Sequence, residues 1–174
     1  NLDSIIKTEF TKEIPYYKRG KQYMSFYSVS NYVKRFIHQD IDFLKSSSET
    51  IVLKGNEQYL RASIVVNNLN VIVKGVADRV EDRDGVTYIL DYKTGSVKAA
   101  DLSTASMDEL EEKIKPKANQ VLMYAWMAHK QLNAQKVVSG IYSLRETKMN
   151  LLSAKIGEEF VLQPNHFEAV EEFI

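Results

Sequence analysis

The spacing of hydrophobic residues changes along the chain, and each spacing predicts a different kind of element. Apolar residues recur at three- and four-residue steps over residues 28–45, which is the repeat of an amphipathic helix. Over residues 57–91 the repeat shortens to about two, which predicts strands joined by turns at Asn67-Asn68 and Asp84-Gly85. The predicted strands cover residues 57–66, 70–80 and 86–93.

The second half of the chain begins with a polar, acidic stretch over residues 96–117 and then returns to periodic patterns. We expect a surface excursion there, with a short helix near Asp108–Ile114. The later elements are predicted as a helix over Lys117–Asn133, strands over Val137–Leu144 and Leu151–Ile156, and a helix over Asn165–Ile174. The order α-β-β-β-α-β-β-α predicts an α/β fold in which helices flank a mixed β-sheet.

The amino-acid composition excludes several classes of protein. A chain of 174 residues and 20.0 kDa fits a single domain over 1–174, and its start without Met and its end inside a predicted helix suggest a fragment of a longer protein. The absence of Cys excludes disulfides, thiolate zinc and iron–sulfur clusters. No apolar run reaches the roughly 20 residues of a membrane span. Lys and Arg number 23 and so do Asp and Glu, which argues against a nucleic-acid binder that relies on charge alone.

The central hairpin carries the most informative arrangement. If Asp84-Gly85 forms a type I′ turn, counting outward places Asp78 opposite Asp91 and Val76 opposite Lys93, with all four side chains on one face. Like charges directly opposed across two strands are destabilising. Two facing carboxylates beside a lysine therefore suggest a divalent cation between them.

A further acid lies on the helix that precedes the sheet. Asp40 lies near the middle of the apolar stripe, and a carboxylate aimed inward needs a partner or a metal ion. His38 projects about 140° away from it, toward solvent. Asp40 is thus either a metal ligand or the partner of a neighbouring Lys or Arg.

Three segments together resemble the motifs of the PD-(D/E)XK nuclease superfamily. They are Gly75-Val76-Ala77-Asp78-Arg79, Ile89-Leu90-Asp91-Tyr92-Lys93-Thr94-Gly95 and Gln120-Val121-Leu122-Met123-Tyr124. They are most similar to the RecB-like branch, with its AddB- or Cas4-like exonuclease domains, which reads G-x-x-D-R, D-Y-K-T-G and Q-x-x-x-Y in this order. A bare (D/E)-x-K occurs three times in the chain, so only the joint pattern is specific.

The resemblance implies a restriction-endonuclease-like fold and a role for each matching residue. It implies Mg²⁺ or Mn²⁺ bound by Asp78, Asp91 and the carbonyl of Tyr92, with Lys93 orienting the attacking water. The implied supporting and DNA-contacting residues are Arg79, Thr94, Gln120 and Tyr124. Many relatives also use a helix His in a Gly-x-x-x-His context, but residue 34 is Lys here, so either Asp40 takes that role or the ligand is missing. Some relatives hold an iron–sulfur cluster, which a chain without Cys cannot bind.

These features predict a metal-dependent DNA exonuclease of recombination or repair, located in the cytoplasm. No G-x-x-x-x-G-K-[ST] loop is present, so a helicase domain or subunit is expected as a partner, in cis or in trans. The alternative is an inactive DNA-binding or structural module with the same fold. The mixed aromatic and basic run over residues 16–21 suits either single-stranded DNA or a solvated loop.

Overall fold

A computed structural model describes residues 1–16, 19–113 and 115–174. Backbone contacts group these residues into two compact units, one formed by residues 1–47 and 144–149 and the other by residues 48–143 and 150–174. The basic run over residues 16–21 and the end of the helix predicted near Asp108–Ile114 lie partly outside the described residues. None of the helices in the described part is long and apolar enough to cross a membrane.

The first unit contains two helices, α1 (Leu2–Glu13) and α2 (Gly20–Ser46). No pattern predicted α1, whereas α2 contains the helix predicted over residues 28–45 and begins eight residues earlier. The rings of Phe10 and Phe26 meet edge to face at 5.1 Å and hold the two helices together.

Residues 144–149 belong to the same unit because polar side chains of α2 bind their backbone. Arg35 Nη2 donates to the carbonyls of Leu144 at 2.9 Å and Glu146 at 2.8 Å, and Gln39 Nε2 donates to Thr147 O at 2.8 Å. Gln39 Oε1 also accepts the amide of Met149. These bonds satisfy carbonyl groups that no strand or helix pairs.

The second unit is built on a five-stranded mixed sheet, which confirms the predicted fold class. From one edge to the other its strands are β1 (Ile51–Val66), β2 (Leu69–Arg83), β3 (Val86–Lys93), β5 (Val137–Ser143) and β6 (Leu151–Ser153). A two-stranded sheet joins β4 (Ser103–Thr104) to β7 (Lys155–Ile156). β3 and β5 are parallel, and the other neighbours in the large sheet are antiparallel. The predicted strand over Leu151–Ile156 is thus two strands in two sheets.

The helices of this unit are α3 (Met107–Glu112), α4 (Pro116–Leu132) and α5 (Pro164–Phe173), each close to its predicted span. The predicted apolar side of α4 is buried: Ala118, Val121, Leu122 and Ala125 lie in one core with side chains of β1, β3 and β5. α4 therefore covers one face of the sheet and presents its remaining side chains from a fixed position.

Both predicted hairpin turns are present. Asn67 and Asn68 have φ of 50° and 64°, and Asp84 and Gly85 have φ of 48° and 83°, the positive values that a type I′ turn requires. Arg83 then pairs with Val86, as the sequence predicts. This turn sets the register of β2 against β3.

The excursion between β3 and α4 is organised by the carboxylate of Glu109. Its Oε2 accepts the amide of Ala105 at 2.6 Å, and its Oε1 lies 3.0 Å from Lys113 Nζ and 3.1 Å from Lys115 Nζ. The Ala105 amide and the two lysines lower the pKa of Glu109 to about 2. The charged side chain thus ties α3 to the start of α4.

We expect Glu109→Gln to lower the thermal unfolding midpoint at neutral pH. Because the folded pKa is depressed, the carboxylate stabilises the fold above its ordinary pKa of 4.5, and this contribution is lost as the pH falls toward 2. The thermal unfolding midpoints of the wild type and the variant, measured from pH 7 to pH 2, should therefore converge at acidic pH. A difference that stays constant with pH would contradict the assignment.

Candidate functional site

The ladder between β2 and β3 stops where the predicted acids begin. It runs from the turn to the pair Arg79–Leu90. Beyond that pair the amide of Tyr92 donates to Asp78 Oδ2 at 2.6 Å, and on the other side of β2 the pairing with β1 has no partner for Asp78. The predicted register is therefore confirmed up to Arg79–Leu90, one pair short of the acids, and the opposition of Asp78 with Asp91 and of Val76 with Lys93 stays a prediction.

Asp91 occupies the buried centre of this region. Its side chain is on β3, the residue is only 4% exposed, and Lys93 Nζ lies 3.2 Å from Oδ1 and 3.0 Å from Oδ2. Gln120 Nε2 donates to Oδ1 at 3.2 Å. Burial raises the pKa of Asp91, the bonds from Lys93 and Gln120 act against that rise, and the nearby charge of Asp78 adds to it. The structure thus brings Asp78, Asp91, Lys93 and Gln120 together.

One oxygen of Asp91 is left without a hydrogen bond. Oδ2 is buried, and although Lys93 Nζ is 3.0 Å away, the contact lacks hydrogen-bond geometry. A buried carboxylate oxygen without a donor is costly unless something else binds it.

Two side chains of α4, one an amide and the other aromatic, complete the arrangement. Gln120 and Tyr124 are one helical turn apart, and Gln120 Nε2 also donates to Tyr124 Oη at 3.1 Å. The ring of Tyr124 lies against Gly75 of β2, where an added Cβ would come within 2.6 Å of Tyr124 Cε1. The sequence motif contains Gly75 but predicts no role for it, although a glycine inside a strand often indicates such a close approach.

Arg79 has a different environment from the one expected of a DNA contact. Arg79, Glu81 and Arg83 alternate along β2 and share one face, whereas Val80 and Ile89 lie in the core beneath α4. Arg79 Nε donates to Glu81 Oε2 at 2.7 Å, and Arg83 Nε donates to Oε1 at 2.6 Å. Glu81 is fully buried, a role that the Arg-x-Glu-x-Arg alternation could have indicated. A contact between Arg79 and DNA stays a prediction.

Thr94 follows β3 directly and is exposed, and its contact with DNA stays a prediction. The loop it begins is held by Ser143 Oγ, which donates to Gly95 O at 2.9 Å. Thr94 therefore lies next to Lys93, at the start of a loop that this hydrogen bond holds in place.

The helix residues belong to the first unit. His38 on α2 is exposed, as the helical pattern predicts, and Asp40 is partly buried and has interactions of its own. Over the described ranges, no three His, Cys, Asp or Glu side chains gather into a group that could hold a metal ion. A ligand role for Asp40 stays a prediction.

The residues at this site fit a divalent cation. Asp78, the unbonded Oδ2 of Asp91 and the backbone carbonyl of the next residue, Tyr92, offer only oxygen donors, which suit Mg²⁺ or Mn²⁺ better than zinc. The raised pKa of Asp91 and the neighbouring charge of Asp78 show that both acids would gain from such a cation.

We expect Asp91→Asn to raise the free energy of unfolding at pH 7 in EDTA, by roughly 1 kcal/mol. The pKa of Asp91 in the folded protein lies above its ordinary value of 3.8, so ionisation of Asp91 destabilises the fold once the pH rises above 3.8. Asn carries no charge and avoids this cost, so the stability difference between variant and wild type should vanish below pH 3.8. Urea unfolding at pH 3 and pH 7 measures this. A variant less stable than the wild type at pH 7 would contradict the expectation.

The same variant tests the cation. Millimolar Mg²⁺ or Mn²⁺ should raise the unfolding midpoint of the wild type, because a ligand that binds only the folded state stabilises it. Asp91→Asn should abolish this shift. An equal shift in both proteins would mean that the metal binds elsewhere.

We expect Gly75→Ala to disturb the site through Tyr124. The new methyl group overlaps the ring, so the variant should lose about 1–3 kcal/mol of stability and move the Tyr124–Gln120 pair. The combination Gly75→Ala with Tyr124→Leu, which removes the ring, should recover most of the stability. Denaturant unfolding of the single and double variants gives the coupling, and additive effects would contradict the contact.

The sequence model of the PD-(D/E)XK nuclease superfamily matches residues 8–174. No curated protein matches the chain. Ten solved chains are similar, among them the crystal structure of SSO0001, which is 13% identical, covers 99% of this chain and 73% of its own, and has a TM-score of 0.36.

Proposed function

The chain belongs to the PD-(D/E)XK nuclease superfamily, and from this premise we propose that it is a Mg²⁺- or Mn²⁺-dependent nuclease that hydrolyses phosphodiester bonds in DNA. The observation that carries the proposal is the buried Asp91, held by Lys93 and Gln120, with one oxygen that accepts no hydrogen bond and with the charge of Asp78 nearby. Buried acids whose pKa values are shifted by desolvation and by a neighbouring charge occur most often at functional sites.

Each residue would have a distinct part in the reaction. Asp78, Asp91 and the carbonyl of Tyr92 would bind the cation, which supplies a more acidic water and a polarised phosphate. Lys93, partly exposed and adjacent to Asp91, would hold the attacking water and stabilise negative charge on the phosphoryl oxygens.

The α4 residues would act through Asp91. Gln120 bonds one carboxylate oxygen and so leaves the other for the cation, and Tyr124 holds Gln120 in place. They are positioning residues by this account. Their loss should cost about 10- to 100-fold in activity, as is usual for groups that orient a metal ligand.

The finer assignments rest on the motif resemblance. D-Y-K-T-G preceded by G-x-x-D-R and followed by Q-x-x-x-Y supports the RecB-like branch, an exonuclease mode and work in DNA recombination or repair. A helicase domain or subunit, in cis or in trans, would supply unwinding, because the sequence contains no P-loop. A cytoplasmic location is part of the same proposal.

An inactive nuclease-fold module is the second candidate. The observation that favours it is that, among the described residues, no third His, Cys, Asp or Glu side chain joins Asp78 and Asp91 in a group that could hold a metal ion. A missing third ligand would lower metal affinity and leave DNA binding without cleavage.

Cleavage assays separate the two candidates. The purified chain is incubated with end-labelled linear single- and double-stranded DNA in Mg²⁺, Mn²⁺ or EDTA. We expect products only with metal, and a loss of at least about 100-fold in Asp91→Ala and Lys93→Ala.

Lys136→Gln serves as a control, because Lys136 is exposed and remote in sequence from every motif. It should cleave like the wild type. Equal and metal-independent activity in all variants would point to a contaminant, and intact DNA with the wild type in every metal would favour the inactive module.

A further inference from the structure

The ladder between β1 and β2 is interrupted beside the candidate site. Asn56 pairs with Arg79 and Gln58 pairs with Ala77, so Glu57 and Asp78 lie between these two pairs, but they do not pair with each other. The register is the same on both sides of this point. The interruption, the 57–78 break, therefore lies at one of the two acids of the candidate site.

β2 changes faces at the 57–78 break. The side chains of a regular strand alternate, so residues three apart lie on opposite faces. Ala77 and Val80 are three apart, yet both are fully buried in the core that α4 lines. Val76 is 46% exposed, and Arg79 bonds Glu81 on the face away from that core. The alternation of β2 is therefore interrupted between Ala77 and Val80.

β1 changes faces at the same point. Gly55 and Gln58 are also three residues apart, which in an extended strand is about 10 Å at 3.3 Å per residue. A Cβ atom at Gly55 would lie only 3.6 Å from Cβ of Gln58, so the two residues share one side of β1. Between them, Glu57 has a φ of 48°, in the left-handed region that residues other than Gly, Asn and Asp rarely adopt. The bend in β1 is thus at Glu57.

The 57–78 break decides on which side of β2 Asp78 lies. Counting on from the core residue Ala77, an unbroken strand would direct Asp78 away from α4. Asp91, in contrast, accepts a hydrogen bond from a side chain of α4. Asp78 nevertheless accepts the Tyr92 amide at 2.6 Å and lies close enough to Asp91 for its charge to raise the pKa of that acid. The proximity of the two acids therefore depends on the change of face.

We propose that Glu57 is a positioning residue for the candidate metal site, because its left-handed backbone sets the 57–78 break and so turns Asp78 toward Asp91; the inference rests on the proposed nuclease function. Strained backbone of this kind persists where the surrounding structure enforces it, and it clusters at functional sites. The side chain of Glu57 is exposed, and the role belongs to its backbone. A residue that readily adopts positive φ should serve equally well at this position.

Hydrogen exchange at the Tyr92 amide reports the position of Asp78 without metal or substrate. NMR in EDTA should show slow exchange in the wild type, because this amide donates to Asp78 Oδ2. Glu57→Val should speed the exchange about 10-fold, since a β-branched residue disfavours positive φ and one hydrogen bond is lost. Exchange in α4 reports global unfolding, and the increase at Tyr92 should exceed any increase there. Wild-type exchange at Tyr92 in Glu57→Val would overturn the proposal.

Two further variants separate the backbone of Glu57 from its carboxylate. Gly adopts positive φ without steric cost, so Glu57→Gly should keep the slow Tyr92 exchange and raise the thermal midpoint. Glu57→Gln lacks the charge and should match the wild type in both measurements. Fast Tyr92 exchange in either variant, or a lower midpoint in Glu57→Gly, would overturn the proposal. The sign of the midpoint change decides this even if Glu57→Val does not fold.

Ser63 provides the matched control on the same strand. It is exposed and pairs regularly with Ile72. Ser63→Gly should lower the midpoint, because Gly weakens a regular strand, and Ser63→Val should leave Tyr92 exchange unchanged. Equal effects of the same substitutions at residues 57 and 63 would overturn a special role for Glu57.

Metal binding and cleavage connect the 57–78 break with the proposed reaction. The rise of the unfolding midpoint with Mg²⁺ or Mn²⁺ should disappear in Glu57→Val and persist in Glu57→Gly and Glu57→Gln. Glu57→Val should lower kcat about 10- to 100-fold and leave the KM for DNA nearly unchanged, as expected when a metal ligand is misplaced. A higher KM with the wild-type kcat would identify a DNA contact and overturn the positioning role.

The failure of one proposal is distinguishable from the failure of the other. A wild type that cuts no DNA in any metal, with Tyr92 exchange that still depends on residue 57, would overturn only the nuclease proposal. A wild type that cuts DNA, together with a Glu57→Val variant that cuts equally well and keeps slow Tyr92 exchange, would overturn only the role of Glu57.

Discussion

The register of the β2–β3 hairpin is the constraint on which the candidate site depends. Asp84 and Gly85 adopt positive φ, and this two-residue turn fixes every pair up to Arg79–Leu90. A slip of one residue would exchange the faces of β3, placing Asp91 and Lys93 opposite to α4 and away from Gln120. The local conformation of two residues thus decides whether the side chains of three separate segments can meet.

The site also shows a conflict between stability and chemistry. Burial of Asp91 raises its pKa, the adjacent charge of Asp78 opposes a second ionised acid, and one buried oxygen has no donor. Lys93 and Gln120 offset part of this cost, and a bound cation would offset the rest. On the other face of β2, Glu81 is fully buried as well, but two arginines satisfy it. The contrast between the two carboxylates is why the proposed metal site includes Asp91 and not Glu81.

Much of the fold could be predicted because the elements of the second unit have strong periodic patterns. The turn residues, the three long strands, α4 and α5 all follow from side-chain spacing and turn chemistry. α1 could not be predicted, because only Ile6 of its apolar residues is buried, and contacts such as that of Phe10 with Phe26 hold it. The strand predicted over Leu151–Ile156 divides because its two parts pair with different strands, a choice that depends on residues distant in sequence.

The sequence by itself determined the chemistry of the site: the two acids, the lysine and the glutamine, together with the turn that sets their spacing. Only the tertiary structure decided how they are used, because burial, charge proximity and hydrogen-bond partners arise between segments. It gave Asp78 a hydrogen bond from the Tyr92 amide just beyond the end of the ladder, and it paired Arg79 with Glu81. It also explains Gly75, because the ring of Tyr124 packs against this residue and leaves no room for a Cβ atom.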